Sequence, residues 1–196
     1  MATYGAKHIK FAPFATSNPE PAASLPNYGA AVQLAELQKL TDNPQYNEGR
    51  QDGDDQVQEY VNEFKEADLD IEITDLENSI CQVVLGAKAT SVSGGTGDET
   101  HFNSDDIAPY GGLIAVISRI RHNVRTYQGI YYPKVKATMQ GEEFATKGES
   151  ITLAGGKLKF KAMACNNGDW KIKSPYMDTV DAAKAWCDAK LAAAQH

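Results

Sequence analysis

The sequence predicts a mainly β fold, a β-sandwich with helices at its flank. Several segments alternate between apolar and polar residues with the period of two that a half-buried strand requires, and turn-forming residues separate them. Two other segments have the apolar spacing and end signals of helices. We expect a single domain over residues 1–196, because a chain of 196 residues can bury a sizeable core.

Composition narrows the class of function. A hydrophobic content of 42% and a charged content of 23% are typical of a folded, soluble protein. No apolar run approaches the roughly 20 residues that span a bilayer, so we expect no membrane contact. The first residues, MATYGAKHIKFAPF, lack a basic region followed by an apolar one, which predicts synthesis and folding in a cytoplasm. A net charge of −7 argues against a phosphate-gripping surface.

Charge is distributed unevenly along the chain. Between Asp42 and Glu77 there are thirteen acids and two bases, Arg50 and Lys65. Between Gly111 and Pro175 there are eleven bases and four acids. A subunit that meets its neighbours head to tail could use such polarity, whereas a monomer has no obvious use for it.

The first part of the chain predicts an arm and a charged hairpin or loop. Residues 1–30 contain a short strand near Lys7–Phe11 and then a proline-rich, irregular stretch. Ala31–Leu40 could be a strand. Residues 41–55, TDNPQYNEGRQDGDD, are either an exposed acidic loop or the tip of a long hairpin. The next segment, 56–65, is ambiguous: Val57, Tyr60, Val61 and Phe64 have helical spacing, but a strand is the alternative.

Ala67–Thr74 is a clear strand, since Leu69, Ile71 and Ile73 alternate with an acidic outer face of Asp68, Asp70 and Glu72. Asp75 is the predicted cap of a short helix, Leu76–Leu85, that stops at Gly86. We expect a long surface loop over 87–110 and a central strand, buried on both faces, over Gly112–Ile120.

The last third predicts more strands and a helix. An Asn-containing turn precedes the aromatic strand Tyr127–Tyr132, which is followed by Pro133 and a charged run. Lysines 157, 159 and 161 alternate with Leu158, Phe160 and Ala162. Asn167–Gly168 predicts a hairpin turn before the strand Trp170–Ser174. A terminal helix over 178–194, capped by Asp178, has an apolar stripe of Val180, Ala183, Cys187 and Leu191.

No pattern in the sequence predicts an active site. Ser93–Gly97 lacks the Gly-Lys-Ser/Thr ending of a P-loop, and Asp52–Asp55 lacks the spacing of a calcium loop. The four histidines are scattered, and no Gly-x-Ser-x-Gly frame holds a nucleophile. We therefore expect no enzyme activity, cofactor or metal. The three cysteines, Cys81, Cys165 and Cys187, are widely separated and form no Cys-x-x-Cys pair, which is typical of buried, reduced thiols. A reactive or metal-binding role is the alternative.

One segment carries a resemblance to a known family. Residues 125–135 read Arg-x-Tyr-x-Gly-Ile-x-Tyr-Pro-Lys-Val, and residues 146–151 read Thr-Lys-Gly-Glu-Ser-Ile. This pair of segments resembles a signature of the major tail tube proteins of bacteriophages with long, non-contractile tails. Tyr4-Gly5, Ala108-Pro109-Tyr110 and the strand–helix–Gly86 unit occur in the matching order, so the resemblance covers most of the chain.

The resemblance implies a β-sandwich of the phage tail tube type, with a strand rather than a helix at 56–65. It implies hexameric rings that stack head to tail into a hollow tube within the virion. Implied partners are further copies of the chain, a tape-measure protein inside the tube, a tail-tip initiator and a terminator. DNA would pass through the lumen without specific binding.

Specific residues follow from the resemblance as candidates. Asp68, Asp70 and Glu72 are candidates for a lumen lining that repels phosphate, or for an interface. The candidates for subunit contacts are Lys157, Lys159, Lys161, Arg50, Asp52, Asp54 and Asp55. Two ordinary solvent-exposed faces would give the same alternating patterns.

Two other functions fit parts of the sequence. A phage neck or tail-terminator protein belongs to the same class of virion component. A monomeric β-sandwich that binds a small molecule or glycan would need an exposed aromatic cluster, for which Tyr127, Tyr131 and Tyr132 are candidates.

Overall fold

Strands form most of the chain, and two helices flank them. The structure is a computed structural model that describes residues 2–53, 56–92, 97–141 and 155–192. The predicted class, mainly β with flanking α, is confirmed. The elements in chain order are β1 Ala2–Pro13, β2 Val32–Gln33, β3 Leu37–Gly53, β4 Gln56–Ile73, α1 Asn78–Leu85, β5 Lys88–Ser91, β6 Asp98–His101, β7 Tyr110–Arg121, β8 Val124–Met139, β9 Gly156–Met163, β10 Ile172–Lys173 and α2 Val180–Ala192.

Eight strands belong to one antiparallel sheet in the order β2-β1-β7-β8-β9-β4-β3, with β10 paired to β8. Strands β5 and β6 form a separate hairpin. Strands β1 and β3 lie near opposite ends of this order, yet they contact each other. Across the same interior, the Phe11 ring lies 5.8 Å from the Phe160 ring. The sheet therefore curls round an apolar interior instead of dividing into two separate sheets.

Two apolar cores lie on opposite sides of the sheet. The inner core is closed by α1 and contains Leu69, Ile71, Leu158 and Phe160. The outer core lies beneath α2, whose Ala183, Cys187 and Leu191 pack against β7 and β8. Residues 111–116 are buried throughout, which confirms the prediction of a central strand covered on both faces.

The long β3–β4 hairpin answers the question of helix or strand at 56–65. This segment is a strand, and its partners in β3 run from Tyr46 to Gly53. Residues 41–53 are likewise the arm of a hairpin and not a loop. Asp54 and Asp55 lie outside the described residues.

Strand β8 continues through Pro133, where the sequence suggested a break. Proline cannot donate a ladder hydrogen bond and is tolerated at bulges. The pairing of β7 with β8 is irregular between Gly111 and Leu113, opposite this position, so Pro133 sits in a bulge. The predicted turn before β8 is present, with φ values of 47° at His122 and 64° at Asn123, as tight hairpin turns require.

Four element boundaries differ from the sequence prediction. Helix α1 begins after Glu77, so Asp75 is not its cap, although Gly86 ends it as predicted with φ of 76°. The Thr179 hydroxyl, not Asp178, accepts the hydrogen bond from the Ala182 amide at the start of α2. Part of the predicted loop 87–110 is the β5–β6 hairpin. The predicted strand Ala31–Leu40 is split between β2 and the start of β3.

The turn at Asn167–Gly168 forms, but its second strand does not return along β9. The Gly168 amide donates to the Cys165 carbonyl, and Gly168 has φ of 90°. Of the predicted strand Trp170–Ser174, only Ile172–Lys173 is a strand, and it pairs with Ile130 and Tyr131 of β8. No helix in the described part of the chain is long and apolar enough to cross a bilayer.

Candidate assembly surfaces

The two charged rows singled out in the sequence lie next to each other on one sheet face. Asp68 is directly opposite Lys161, Asp70 opposite Lys159, and Glu72 opposite Lys157. Directly opposed residues of an antiparallel pair project from the same face. These six side chains, called the charge ladder below, therefore form alternating acid–base pairs across β4 and β9.

Short contacts tie the charge ladder together. The Lys161 ammonium lies 2.6 Å from a Glu66 oxygen, and the Lys159 ammonium lies 3.5 Å from Asp68. The hydrogen bond to Glu66 raises the pKa of Lys161 above its ordinary value. On the far side, Gln45 donates a hydrogen bond of 2.7 Å to Asp68. Asp68 is thus paired within the chain, as is Glu72, which lies 3.7 Å from the Lys39 ammonium.

The polar face extends over four strands. Lys136 on β8 stands opposite Lys161, and Thr41 on β3 stands opposite Asp70. The helices pack elsewhere, α1 against β8, β6 and β1, and α2 against β7 and β8. The face carries five lysines and four acids: Lys39, Lys136, Lys157, Lys159, Lys161, Glu66, Asp68, Asp70 and Glu72. The sequence suggested an acidic, phosphate-repelling lining here, but the face is nearly neutral.

A two-stranded ribbon projects from the body. The pairing of β4 with β9 ends at Ala67–Ala162, whereas β4 and β3 continue together to Gln56 and Gly53. We call 45–53 and 56–65 the ribbon. Residues 45–50 and 59–63 are exposed on both of its faces. Strand β3 is also the last strand of the sheet, so its outer edge has no partner strand among the described residues.

Two of the predicted contact residues of this region, Arg50 and Asp52, lie on the ribbon. Arg50 stands opposite Tyr60. Asp52 is placed by backbone pairing with Val57, and the side chain of Asp52 lies outside the described set. Tyr46 and Tyr60 are exposed aromatics of the ribbon. A hydrogen bond to Glu48 raises the pKa of Tyr60.

The base of the ribbon is anchored by contacts that the sequence did not predict. Trp170 stacks on Phe64 with ring centroids 4.4 Å apart and planes 12° from parallel. The Tyr132 hydroxyl donates to Asp42 at 2.6 Å, and Lys171 forms an ion pair with the same carboxylate. Burial, followed by the bond to Asp42, raises the pKa of Tyr132. These contacts join β3, β4 and β8 to the segment before β10.

An apolar cleft of about 430 Å³ lies at the other end of the sheet. We call it the end cleft. Strand β7 starts at Tyr110 opposite Lys136, so residues 137–139 of β8 extend beyond β7, and the cleft lies beside them. Six of its ten lining residues are apolar and four are polar or charged: Leu85, Phe102, Ile107, Ala108, Ala137 and Met139, with Asn103, Asp106, Lys136 and Thr138.

Gly86 brings the loop 102–109 against α1 and so shapes the end cleft. A Cβ at this position would lie 2.5 Å from the Ile107 carbonyl oxygen. Ile107 itself is 76% exposed. The sequence placed this region in a surface loop, and apolar residues separated by so many positions gave no sign of a shared cleft.

The described residues contain no group of three potential metal ligands. Cys81, Cys165 and Cys187 are buried thiols that form no disulfide, as predicted, and burial raises the pKa of Cys187 to about 12. Asp188 accepts hydrogen bonds from Lys10 and His8, which occupies the histidine in a helix–strand contact.

The aromatic cluster required by a ligand-binding sandwich is not exposed. Tyr131 and Tyr132 are fully buried on opposite sides of the sheet. The Tyr131 hydroxyl lies 2.5 Å from that of Tyr28, which also donates to the Pro133 carbonyl. Tyr28 and Tyr131 hold the N-terminal arm on β8, so neither Tyr131 nor Tyr132 is available to a ligand, and Tyr127, the third candidate, is half-buried.

No family model and no curated protein matches the chain. The surfaces above and the motifs of the sequence are therefore the basis for assigning a function.

Proposed function

We propose that this chain is a structural subunit that assembles into rings of six copies, as the family resemblance implies, and that these rings stack into a hollow tube. The tube would be the tail tube of a bacteriophage with a long, non-contractile tail, and the protein would be a virion component. The observation that carries the proposal is the projecting ribbon, whose β3 edge pairs with no other strand in the described part of the chain.

The ribbon is better suited to a subunit interface than to the exposed surface of a monomer. An isolated two-stranded hairpin is marginally stable at best, and an open edge strand invites pairing with another chain. In this chain the ribbon continues for roughly 35 Å beyond Ala67, at about 3.3 Å per residue. It also exposes Tyr46, Tyr60 and Val61. A neighbouring copy would cover these side chains and complete the hydrogen bonding of β3.

The uncovered face of β8, β9, β4 and β3 suits the wall of a channel. Its side chains are polar, and no described helix packs on it. Three of its lysines form ion pairs with Glu66, Asp68 and Glu72, which weakens the binding of these lysines to phosphate. Such a surface would let a tape-measure protein, and later DNA, pass without tight binding.

The motif behind the resemblance has a structural role in this chain. Residues 125–135 form the centre of β8, which contacts both cores. A Cβ at Gly129 would lie 2.7 Å from the Cys187 sulfur and from the Trp186 ring, so glycine lets α2 approach the sheet. The second motif, 146–151, lies outside the described residues.

Negative-stain electron microscopy of the purified protein, over a range of concentration and salt, tests the proposal. We expect rings or hollow tubes with a channel wide enough for duplex DNA. Rings that never stack would instead indicate a neck or terminator protein. Uniform monomers under every condition, including after addition of a phage tail initiator complex, would overturn the proposal.

A further inference from the structure

We propose that the end cleft of one copy receives the ribbon of a second copy. The inference rests on the proposed function and names the two surfaces that meet when one layer of subunits stacks on the next. It concerns a second copy of this chain and no other partner.

The ribbon and the end cleft lie at opposite ends of the same sheet. Met139, which lines the cleft, stands opposite Leu158, and Leu158 stands opposite Ile71. From Ile71, β4 runs past Ala67 into the ribbon, away from the cleft. A copy therefore cannot place its own ribbon in its own cleft. A contact between unlike ends repeats in one direction, and this generates a filament.

Six of the ten large apolar side chains that are exposed among the described residues lie at these two ends. Tyr46, Tyr60 and Val61 are exposed on the ribbon, with the two tyrosines on one face and Val61 on the other, and Phe102, Ile107 and Met139 are exposed at the cleft. Exposed apolar groups that cluster at one place mark sites of association. Aromatic side chains that fill an apolar pocket are also the usual anchors of protein interfaces.

Charge favours the same pairing. The ribbon carries Glu48, Glu59 and Glu63, all exposed. The cleft carries Lys136, which lies 5.1 Å from the Tyr110 ring centre and has no carboxylate contact in the described part of the chain. The cleft's own acid, Asp106, accepts a hydrogen bond from the Asn103 amide. A ribbon glutamate can therefore pair with Lys136.

Complementation between two blocked variants tests the contact. Ile107→Glu puts a charge in the cleft and leaves the ribbon intact, whereas Tyr60→Glu does the reverse. Val124→Glu is the matched control, because Val124 is 59% exposed on the β7–β8 turn and belongs to neither the ribbon nor the end cleft. Circular dichroism first establishes that all three variants fold.

We expect tubes from Val124→Glu and none from either blocked variant alone. Mixing the blocked variants leaves one working ribbon–cleft contact per pair, so particles two layers deep should form without growing into tubes. Normal tubes from Ile107→Glu would overturn this inference and leave the proposed function standing. Folded variants that give no particles on mixing would also overturn it. A wild-type protein that never assembles would overturn the proposed function.

Site-directed cross-linking tests the contact between ribbon and end cleft independently. Cysteines placed by Tyr60→Cys in one copy and Ile107→Cys in another should be joined by a short bis-maleimide, since the three native cysteines are buried. A covalent dimer that requires both variants supports the contact. Assembled tubes without that dimer would overturn it.

Discussion

Asp68 on β4 and Lys161 on β9 stand directly opposite each other, so the acidic and basic segments of the chain meet on neighbouring strands. The contrast in charge along the sequence is therefore partly cancelled within the sheet, and the acidic surplus that remains lies on the ribbon, at Glu48, Glu59 and Glu63. Much of it is used within one subunit, as cross-strand pairs. Steering of one subunit onto another by two oppositely charged halves is correspondingly weakened.

Reversal of Lys157, Lys159 and Lys161 to glutamate tests this arrangement. The triple variant would place glutamates opposite Asp68, Asp70 and Glu72, and directly opposed like charges destabilise a sheet. We expect the midpoint of thermal unfolding to fall by several degrees.

The matched control reverses both rows, with lysine at positions 68, 70 and 72 as well. Alternation of charge is restored in this variant, so its thermal midpoint should return towards that of the wild type. High salt should narrow the difference between the triple variant and the wild type, because screening weakens exposed charge pairs. A triple variant as stable as the wild type at low salt would contradict the role of the charge ladder.

Local patterns predicted the strands well wherever one face is buried. The alternation of Leu158, Phe160 and Ala162 with lysines fixed both the element and its inward face. At 56–65 the same spacing suits a helix and a strand, and only pairing with β3 decides between them. The strand break predicted at Pro133 was wrong for a similar reason, because the bulge that accommodates this proline depends on the neighbouring strand.

The candidate surfaces were harder to predict from the sequence than the strands. The rows of the charge ladder were recognised separately, but their pairing is a fact of sheet order. The end cleft joins Leu85, Phe102 and Met139, which no periodic pattern connects. The stacking of Trp170 on Phe64 is likewise a contact between distant segments.

Gly86→Ala should destabilise the protein through two effects. Alanine at φ of 76° costs about 1–2 kcal/mol, and its Cβ would also meet the Ile107 carbonyl at 2.5 Å. Gly168→Ala is the control, because Gly168 has φ of 90° and no atom within 4 Å of a built Cβ. Urea unfolding should therefore give a larger loss for Gly86→Ala. Equal losses would show that the loop 102–109 does not press on Gly86.

Trp170→Ala should loosen the base of the ribbon. Trp170 is only partly buried, so we expect a loss of about 2 kcal/mol, below the roughly 3–5 kcal/mol of a fully buried tryptophan. Hydrogen exchange of ribbon amides should accelerate more than exchange in β7. Trp170→Phe keeps a ring against Phe64 and should recover most of the protection. Unchanged exchange in Trp170→Ala would contradict an anchoring role.

Acid should weaken the attachment of α2 to β1 through Asp188. Partial burial alone would raise the pKa of this carboxyl, but hydrogen bonds from Lys10 and His8 outweigh burial and lower it below the ordinary 3.8. A lowered pKa stabilises the fold at pH values above 3.8, and that contribution is lost as pH falls through the folded value. Because Asp188 is partly exposed and screened by water, we expect about 0.5 kcal/mol. Urea unfolding of wild type and Asp188→Asn should differ at pH 6 and converge below pH 3, whereas parallel acid profiles would exclude the contact as a source of stability.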